Sequence, residues 1–402
     1  MCDAAHLTPI LELAPTPIAN AYARQTSPKP AEPRYPLELA MCETCGHVQL
    51  AHMVNRFKVT GLPAAAFGQS VKATAHLNAF AEDVLARIPK SHEPLIVGIG
   101  SNDGTMLKGF QDQGWRVQGV EASVNVAGQA IANDIPTFPG FLMPSTAARI
   151  AEERGRAQVV VAHQAFAVTE NAPGFIQGVR EMLAEDGLFV FEVNALHDLV
   201  THPAIDSVVH ATLDYHSAAP LKHFFAHAGM ELIDVTRTGS QGRLLRGYAQ
   251  KAGGTRAVQE TVEAMIEEDD RNGLSDISTY HDLALKIAHI KAELAARLDE
   301  LKTAGMRICG YGAAPGSTTL MYSLGLDAEV LEGVFDDSPL REDCRMPGTE
   351  IPILSFKSFG DHRPDWLVVL DWRNAEAIID WCRTQGSEAM RFIIPWPELQ
   401  IR

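Results

Sequence analysis

From about residue 70 onward, short apolar runs alternate with stretches whose apolar positions recur every three or four residues. Residues 95–100, 159–162 and 188–193 are nearly continuous in their apolar character, which predicts strands buried on both faces rather than half-exposed ones, and 116–121 reads as a further strand between them. Helical patterns separate them, so the expected fold class is α/β, with a parallel sheet covered by helices on both sides. Further on, Tyr280, Leu283, Ile287, Ile290, Leu294, Leu298 and Leu301 form one stripe of a long amphipathic helix, and Gly305 is placed to stop it. The βα pattern then restarts at residues 307–311, 331–335 and 366–370, predicting a second α/β domain.

The two ends of this pattern differ from its middle. The first 60 residues are short apolar stretches broken by Pro15, Pro17, Pro28, Pro30, Pro33 and Pro36; so small a module needs a metal staple. Residues 252–276 turn polar, with the run from Glu267 to Gly273, and read as a connection. The predicted division is therefore 1–60, a zinc-binding segment; 61–252, the first α/β domain; 253–305, a helical connection; and 306–402, the second α/β domain.

Composition narrows the class of function. A chain of 402 residues is long for a single core, and 46% hydrophobic with 21% charged residues is the balance of a globular protein. Lys plus Arg number 34 against 50 Asp plus Glu, and the net charge of −16 gives no footprint for a nucleic-acid partner. No apolar run approaches the roughly 18 residues of a membrane span, and no signal-peptide pattern opens the sequence. No membrane partner and a cytoplasmic location are therefore expected. Six cysteines are too few for a disulfide scaffold, so they read as metal ligands or buried small hydrophobes.

The sharpest local signal is the strand that runs into Gly98-Ile99-Gly100-Ser101-Asn102-Asp103-Gly104 and then a helix. Glycine lets a nucleoside approach the backbone there, and the following helix offers free N–H groups. About twenty residues on, Glu121 ends the next strand, where a carboxylate can accept both ribose hydroxyls, with Ala122 beside it. Polar Asn102 and Asp103 stand where a pyrophosphate would need bare backbone, which favours S-adenosylmethionine over a dinucleotide. Cys42-Glu43-Thr44-Cys45-Gly46 is a C-x2-C-G knuckle that aims two thiolates at one ion, zinc by preference. Cys2 and His6 could complete it, with His47 a competing fourth ligand. Histidines gather beyond the strand ends, with His163 and then Gln164 after residues 159–162, His197 after 188–193, and His210 and His216 later. That edge of an open α/β sheet is where ligands bind, and imidazole suits proton abstraction. A second Gly-rich turn, Gly310-Tyr311-Gly312-Ala313, with Asp336 and Asp337 at the next strand end, fits either another nucleotide or close packing. Cys309, Cys344 and Cys382 lack metal spacing and read as core or surface thiols.

Taken in order, these parts resemble the nucleotide-sugar C-methyltransferases, which place a methyl branch on keto-deoxysugars. The resemblance spans nearly the whole chain: Pro17-Ile18-Ala19-Asn20-Ala21, Tyr35-Pro36-Leu37, the knuckle, Phe191-Glu192-Val193, Gly242-Arg243-Leu244-Leu245-Arg246 and Pro347-Gly348-Thr349-Glu350-Ile351-Pro352 are all similar to family blocks. It implies a zinc-binding N-terminal segment, a class I S-adenosylmethionine methyltransferase domain and a C-terminal Rossmann-like domain that helps hold the nucleotide-sugar. It also implies Gly100, Asn102, Asp103, Glu121 and Ala122 around the cofactor, and Cys2, His6, Cys42 and Cys45 around the metal; Gly98 and Gln164, which depart from the family's residues, are expected beside the cofactor as well.

The chain also departs from the pattern. The family's Y-H-E-H-L-x-Y segment reads here Val209-His210-Ala211-Thr212-Leu213-Asp214-Tyr215, which keeps His210 and Tyr215 but loses a Tyr, the Glu and the second His. The Tyr- and Ser-rich segment before His76 is here Pro63-Ala64-Ala65-Ala66-Phe67-Gly68-Gln69-Ser70. The expected catalytic candidates are thus His163, His210, His197 and Tyr215. The leading expectation is a C-methyltransferase acting on a nucleotide-linked ketosugar or similar ketone. The alternatives are a methyltransferase-like scaffold repurposed for cyclisation or isomerisation, and a catalytically silent binding subunit.

Overall fold

The computed structural model describes residues 1–2, 4–28, 33–60, 66–89, 94–239, 243–360, 363–385 and 389–402. Pro30, Pro63, Ala64, Ala65 and Gly242 of the motifs above lie outside the described residues.

The central element is a seven-stranded sheet in the order Met230–Thr238, Leu244–Lys251, Leu183–Asn194, Ala157–His163, Leu95–Ile99, Arg116–Glu121, Thr137–Pro139. The last five of these are mutually parallel; Leu244–Lys251 runs antiparallel to them, and Met230–Thr238, antiparallel to Leu244–Lys251, runs in the direction of the five. This is the Rossmann-like methyltransferase arrangement, and the near-continuous apolar strands behave as predicted: Leu95–Ile99 is buried at every position. The chain builds outward from Leu95–Ile99 and then returns to Ala157–His163 on its other side, which creates a switch-point crevice at their C-terminal ends.

The first segment forms an antiparallel sheet, Leu7–Thr16, Tyr35–Cys42, Val48–Leu50, and its fourth strand is Asp214–Tyr215 from far along the chain. Ile10, Leu11, Leu37 and Leu39 bury their side chains in one cluster with the long helix Ile277–Thr303 and with Ile308, Val334 and Val368 of the second α/β sheet. All seven stripe residues of that helix are buried. Its start is capped by Asp276, which accepts from the Ser278 N–H at 2.9 Å, and Gly305 follows its end in the left-handed region at φ +72°.

The second α/β sheet has the order Ile353–Ser355, Val334–Asp336, Ile308–Tyr311, Trp366–Val369, Arg391–Ile394, Gln400–Ile401, parallel except at the last strand. Its Gly-rich turn is packed: Asp336 accepts the Ala313 N–H at 2.7 Å, Tyr22 donates to the Ala313 carbonyl, and a Cβ on Gly312 would stand 3.0 Å from the Asp371 backbone N. Cys309, Cys344 and Cys382 are free and buried. Part of the polar stretch 252–276 folds as the helix Glu260–Arg271, whose Val262 and Met265 join the core under the central sheet. Among the described residues, no helix is long and apolar enough to cross a membrane.

Candidate functional site

A cavity of about 320 Å³ opens at the switch point. One wall is the Gly-rich turn. Gly100 adopts φ +64°, and a Cβ there would meet the Ala165 Cβ at 2.7 Å, so only glycine permits this close approach. Glu121 ends its strand at the cavity, accepting the Asn102 N–H at 2.9 Å and the Ser123 N–H at 2.7 Å. Burial raises the Glu121 carboxyl above its ordinary value, and the N–H groups of Ser123, Asn102 and Ala122 oppose that.

Gly100, Glu121, Ala122 and Gln164 line the cavity, whereas Gly98, Asn102 and Asp103 stand behind it. For these three the expected direct contact is replaced by support. The Asn102 carbonyl oxygen accepts from the Phe67 N–H at 3.0 Å and Asp103 from the Gly68 N–H at 2.8 Å, while Asp103 also caps the helix Thr105–Gln111 through the Thr105 N–H and hydroxyl. Gly98 sits under Leu107, whose Cδ2 would be 2.9 Å from an added Cβ. Asn102 and Gln164, at φ +51° and +60°, are two of the four non-glycine residues with positive φ among those described. Strained backbone of this kind collects at functional sites.

The cavity also carries imidazoles. His163 and His210 both line the cavity. The His163 Nδ1 is 3.1 Å from Glu192 Oε2, and the His76 Nε2 lies 2.7 Å from the same oxygen. An ionised carboxylate only accepts, so both ring nitrogens donate, and the lone pair of neutral His163 is on Nε2. Glu192 is fully buried, and its other oxygen accepts from Arg246 Nη2 at 2.7 Å, Arg246 Nε at 2.9 Å and the Thr238 hydroxyl at 2.6 Å. Burial alone would raise its pKa; the hydrogen bonds from His163 and His76, the Arg246 charge and Thr238 outweigh burial and hold it well below the carboxylate range.

His210 Nε2 sits 3.2 Å from the Pro36 carbonyl and must donate to it, which leaves the lone pair on the buried, unpartnered Nδ1. Burial pushes its pKa down. The other two catalytic candidates stand elsewhere. His197 is on the helix Leu196–Thr201 and lines no part of the cavity, and burial with the Arg237 charge lowers its pKa. Tyr215 is 1% exposed inside the antiparallel sheet, where burial raises its pKa. Sequence reasoning missed Glu192 and His76 as members of the site.

The N-terminal segment also reaches this cavity. Asn20, Val54, Arg56 and Val59 line it, and the Arg56 guanidinium lies over the Phe141 ring at 4.0 Å. Away from the cavity, the sulfurs of Cys2, Cys42 and Cys45 converge within 4.8 Å of one another, with Cys2 and Cys42 at 3.5 Å. His6, expected as the fourth ligand, is exposed and outside this group, and His47 turns its Nε2 to Asp214 Oδ1 at 2.7 Å. The donor chemistry fits zinc. The N–H groups of Cys45 and Thr44 overcome burial to lower the Cys42 pKa, whereas burial and the neighbouring Cys42 push Cys45 up to about 12.

Family models match the chain in three consecutive blocks: "Putative zinc binding domain" over residues 1–58, "Methyltransferase domain" over 74–235 and "C-methyltransferase C-terminal domain" over 239–397. Together the three blocks span nearly all of the chain, each similar to one domain of that description. It is similar to the C-methyltransferase NovU of Streptomyces niveus, at 27% identity over 392 residues, covering 98% of this chain and 93% of that one. Among solved structures, the glycopeptide N-methyltransferase MtfA with S-adenosylmethionine aligns at 14% identity and TM-score 0.35, covering 43% of this chain and 93% of its own. An S-adenosylmethionine-dependent methyltransferase of Clostridium acetobutylicum aligns at 7% identity and TM-score 0.36, covering 46% and 94%. The protein is thus a methyltransferase-like enzyme of α/β architecture.

Proposed function

We propose that the protein transfers a methyl group from S-adenosylmethionine to a carbon next to a ketone, on a nucleotide-linked deoxysugar or a similar small molecule. The observation that carries this reading is the single cavity that joins Gly100 and Glu121 to His163 and His210. The cofactor, when bound, supplies an electrophilic sulfonium methyl. Glu121 accepts the ribose hydroxyls, and Gly100 lets the nucleoside approach the backbone. His163 Nε2 takes the acidic proton next to the ketone, and Glu192, on the other ring nitrogen, stabilises the imidazolium that results. With the cofactor held by Gly100 and Glu121, the enolate carbon would take the methyl group as its bond to sulfur breaks and S-adenosylhomocysteine leaves, and holding both reactants in one cavity would supply much of the rate.

The relative NovU, named a C-methyltransferase, supports carbon as the acceptor atom. A polar pocket of about 180 Å³ lies on the far side of residues 209–213 and supports a hydroxyl-bearing substrate part. It is lined by Asn194, Asp198, Asp206 and Arg243 together with Gly316 of the second α/β domain. A second reading, a methyltransferase scaffold turned to a non-methylating reaction, is favoured by Ala211, which lines the cavity where the related segment carries a Glu.

Calorimetry and mass spectrometry test both readings. The wild-type protein is expected to bind S-adenosylmethionine, and Glu121→Ala to weaken that binding by about 1.5–3 kcal/mol for each ribose hydrogen bond lost. No binding by the wild type would end the proposal. Bound cofactor that keeps its methyl group in the presence of the ketone acceptors tried would favour the second reading. For the metal, elemental analysis should find one zinc per chain, and Cys45→Ser should lower both zinc content and the melting temperature.

A further inference from the structure

The fourth strand of the N-terminal sheet links the knuckle to the cavity. Residues 209–216 leave the cavity wall and enter that sheet within a few positions. His210, Ala211 and Leu213 line the cavity; Asp214 and Tyr215 then pair antiparallel with Gln49 and Val48. The Leu50 N–H donates to the Leu213 carbonyl at 2.9 Å, and the Leu213 N–H to the Ala167 carbonyl at 2.8 Å, so this segment is stitched to both bodies.

The knuckle closes on the same strand. The Gly46 N–H donates to the Cys42 carbonyl at 2.9 Å and the Cys42 N–H to the His47 carbonyl at 2.8 Å, so the turn that carries Cys42 and Cys45 also fixes the His47 backbone. His47 is 1% exposed, and its Nε2 meets Asp214 Oδ1 at 2.7 Å. Its ring lies 5.5 Å from that of His216, which stacks on Phe166 at 4.8 Å and 10°. Phe166 belongs to the turn Ala165–Val168, whose Ala165 and Val168 line the cavity too. Two continuous contact routes therefore run from the cysteines to the cavity wall, and His47 is common to both.

We propose that His47 and Asp214 are positioning residues through which the ion held by Cys2, Cys42 and Cys45 sets the acceptor wall of the cavity, residues 209–213, while the strands that carry Glu121 stay fixed. The Glu121 side of the cavity is built on Leu95–Ile99 and Arg116–Glu121, which pair with one another and with Ala157–His163 and Thr137–Pro139, not with the N-terminal sheet. The role assigned to this wall rests on the methyl-transfer reading; the coupling itself does not.

The test is amide hydrogen exchange on the full chain, as purified and after zinc removal by a chelator, for wild type, His47→Leu and Asp214→Asn, with S-adenosylhomocysteine calorimetry alongside. Zinc removal should raise exchange across residues 209–216 by about tenfold, with little change in residues 95–121. His47→Leu should keep its zinc and its S-adenosylhomocysteine affinity within about twofold, yet show the same rise, and zinc removal should add little more. Asp214→Asn, which keeps a hydrogen-bond acceptor for His47, should fall between the two and covers the case in which His47→Leu does not fold. The coupling is overturned if zinc removal leaves 209–216 unchanged, if it raises exchange equally through the whole chain, if its effect adds in full to that of His47→Leu, or if the purified protein holds no metal. Absence of S-adenosylhomocysteine binding by the wild type would instead remove the methyl-transfer reading, and the exchange data would still decide the coupling.

Discussion

His163→Asn is expected to lower the rate of methyl transfer by about 10²–10⁴, the usual contribution of a positioned general base, with little change in cofactor affinity. The geometry carries this expectation. The Nδ1–H of His163 is held by Glu192 at 3.1 Å, which leaves Nε2 as the basic nitrogen of a ring that lines the cavity. Asparagine can keep a hydrogen bond to Glu192 but has no basic nitrogen. His210→Asn is the matched control, because His210 lines the same cavity with its own lone pair on Nδ1 but hydrogen-bonds only a backbone carbonyl, which cannot stabilise an imidazolium as a carboxylate does. A large fall in His163→Asn and a small one in His210→Asn assigns the base to His163, and the reverse assigns it to His210. Near-normal turnover in both variants removes the two histidines from the mechanism and shifts weight to the repurposed scaffold.

The parts of the site that lie close together in sequence were legible before the structure. The glycine turn, the acidic strand end at Glu121 and the knuckle each depend on local spacing, and local spacing is what a sequence displays. Glu192 had a signal that could have been read: one carboxylate inside the apolar run 188–193 must be buried, and a buried carboxylate needs partners. Who those partners are depends on sheet order, since His76 is 116 residues away and Arg246 reaches Glu192 across an antiparallel strand pair. Asn102 and Asp103 were identified as polar exceptions in the turn, but whether their side chains face the cavity or the residues behind it depends on the turn at Phe67 and Gly68. The strand Asp214–Tyr215 is two residues long, too short for any periodicity to reveal. The helix Glu260–Arg271, within the helical connection 253–305, shows little periodicity in the sequence because its buried face is narrow: Val262, Met265 and Asp269 only, among twelve mostly charged positions.

Glu192→Gln should be strongly destabilising, at about 3–5 kcal/mol, because it removes the buried carboxylate that stands behind His163 and breaks its ion pair with Arg246. The Arg246 guanidinium would retain Asp83 at 2.9 Å and its place over the Phe80 ring at 4.7 Å, but would lose the fork of two hydrogen bonds to Glu192. A glutamine also presents an NH₂ group on one side of this cluster, where it meets either the Arg246 and Thr238 donors or the imidazole nitrogens of His76 and His163, which must change tautomer to accept from it. The effect depends on pH with a definite sign. Since the Glu192 carboxyl is held well below its ordinary 4.5 in the folded protein, its contribution is fully present above that value and is lost as the pH falls toward the lower, folded-state pKa. Urea denaturation of wild type and variant should therefore show the full gap at neutral pH and a shrinking gap in acid below 4.5. A gap that stays constant as the pH falls would mean that the loss comes from packing rather than from the ionised carboxylate. The same variant bears on catalysis, since loss of the anion behind His163 should reduce turnover even at temperatures where the variant remains folded, with cofactor affinity at Glu121 preserved. Glu192→Asp separates the two effects: it keeps the charge but moves it back by about one methylene, so it should recover more of the stability than of the rate.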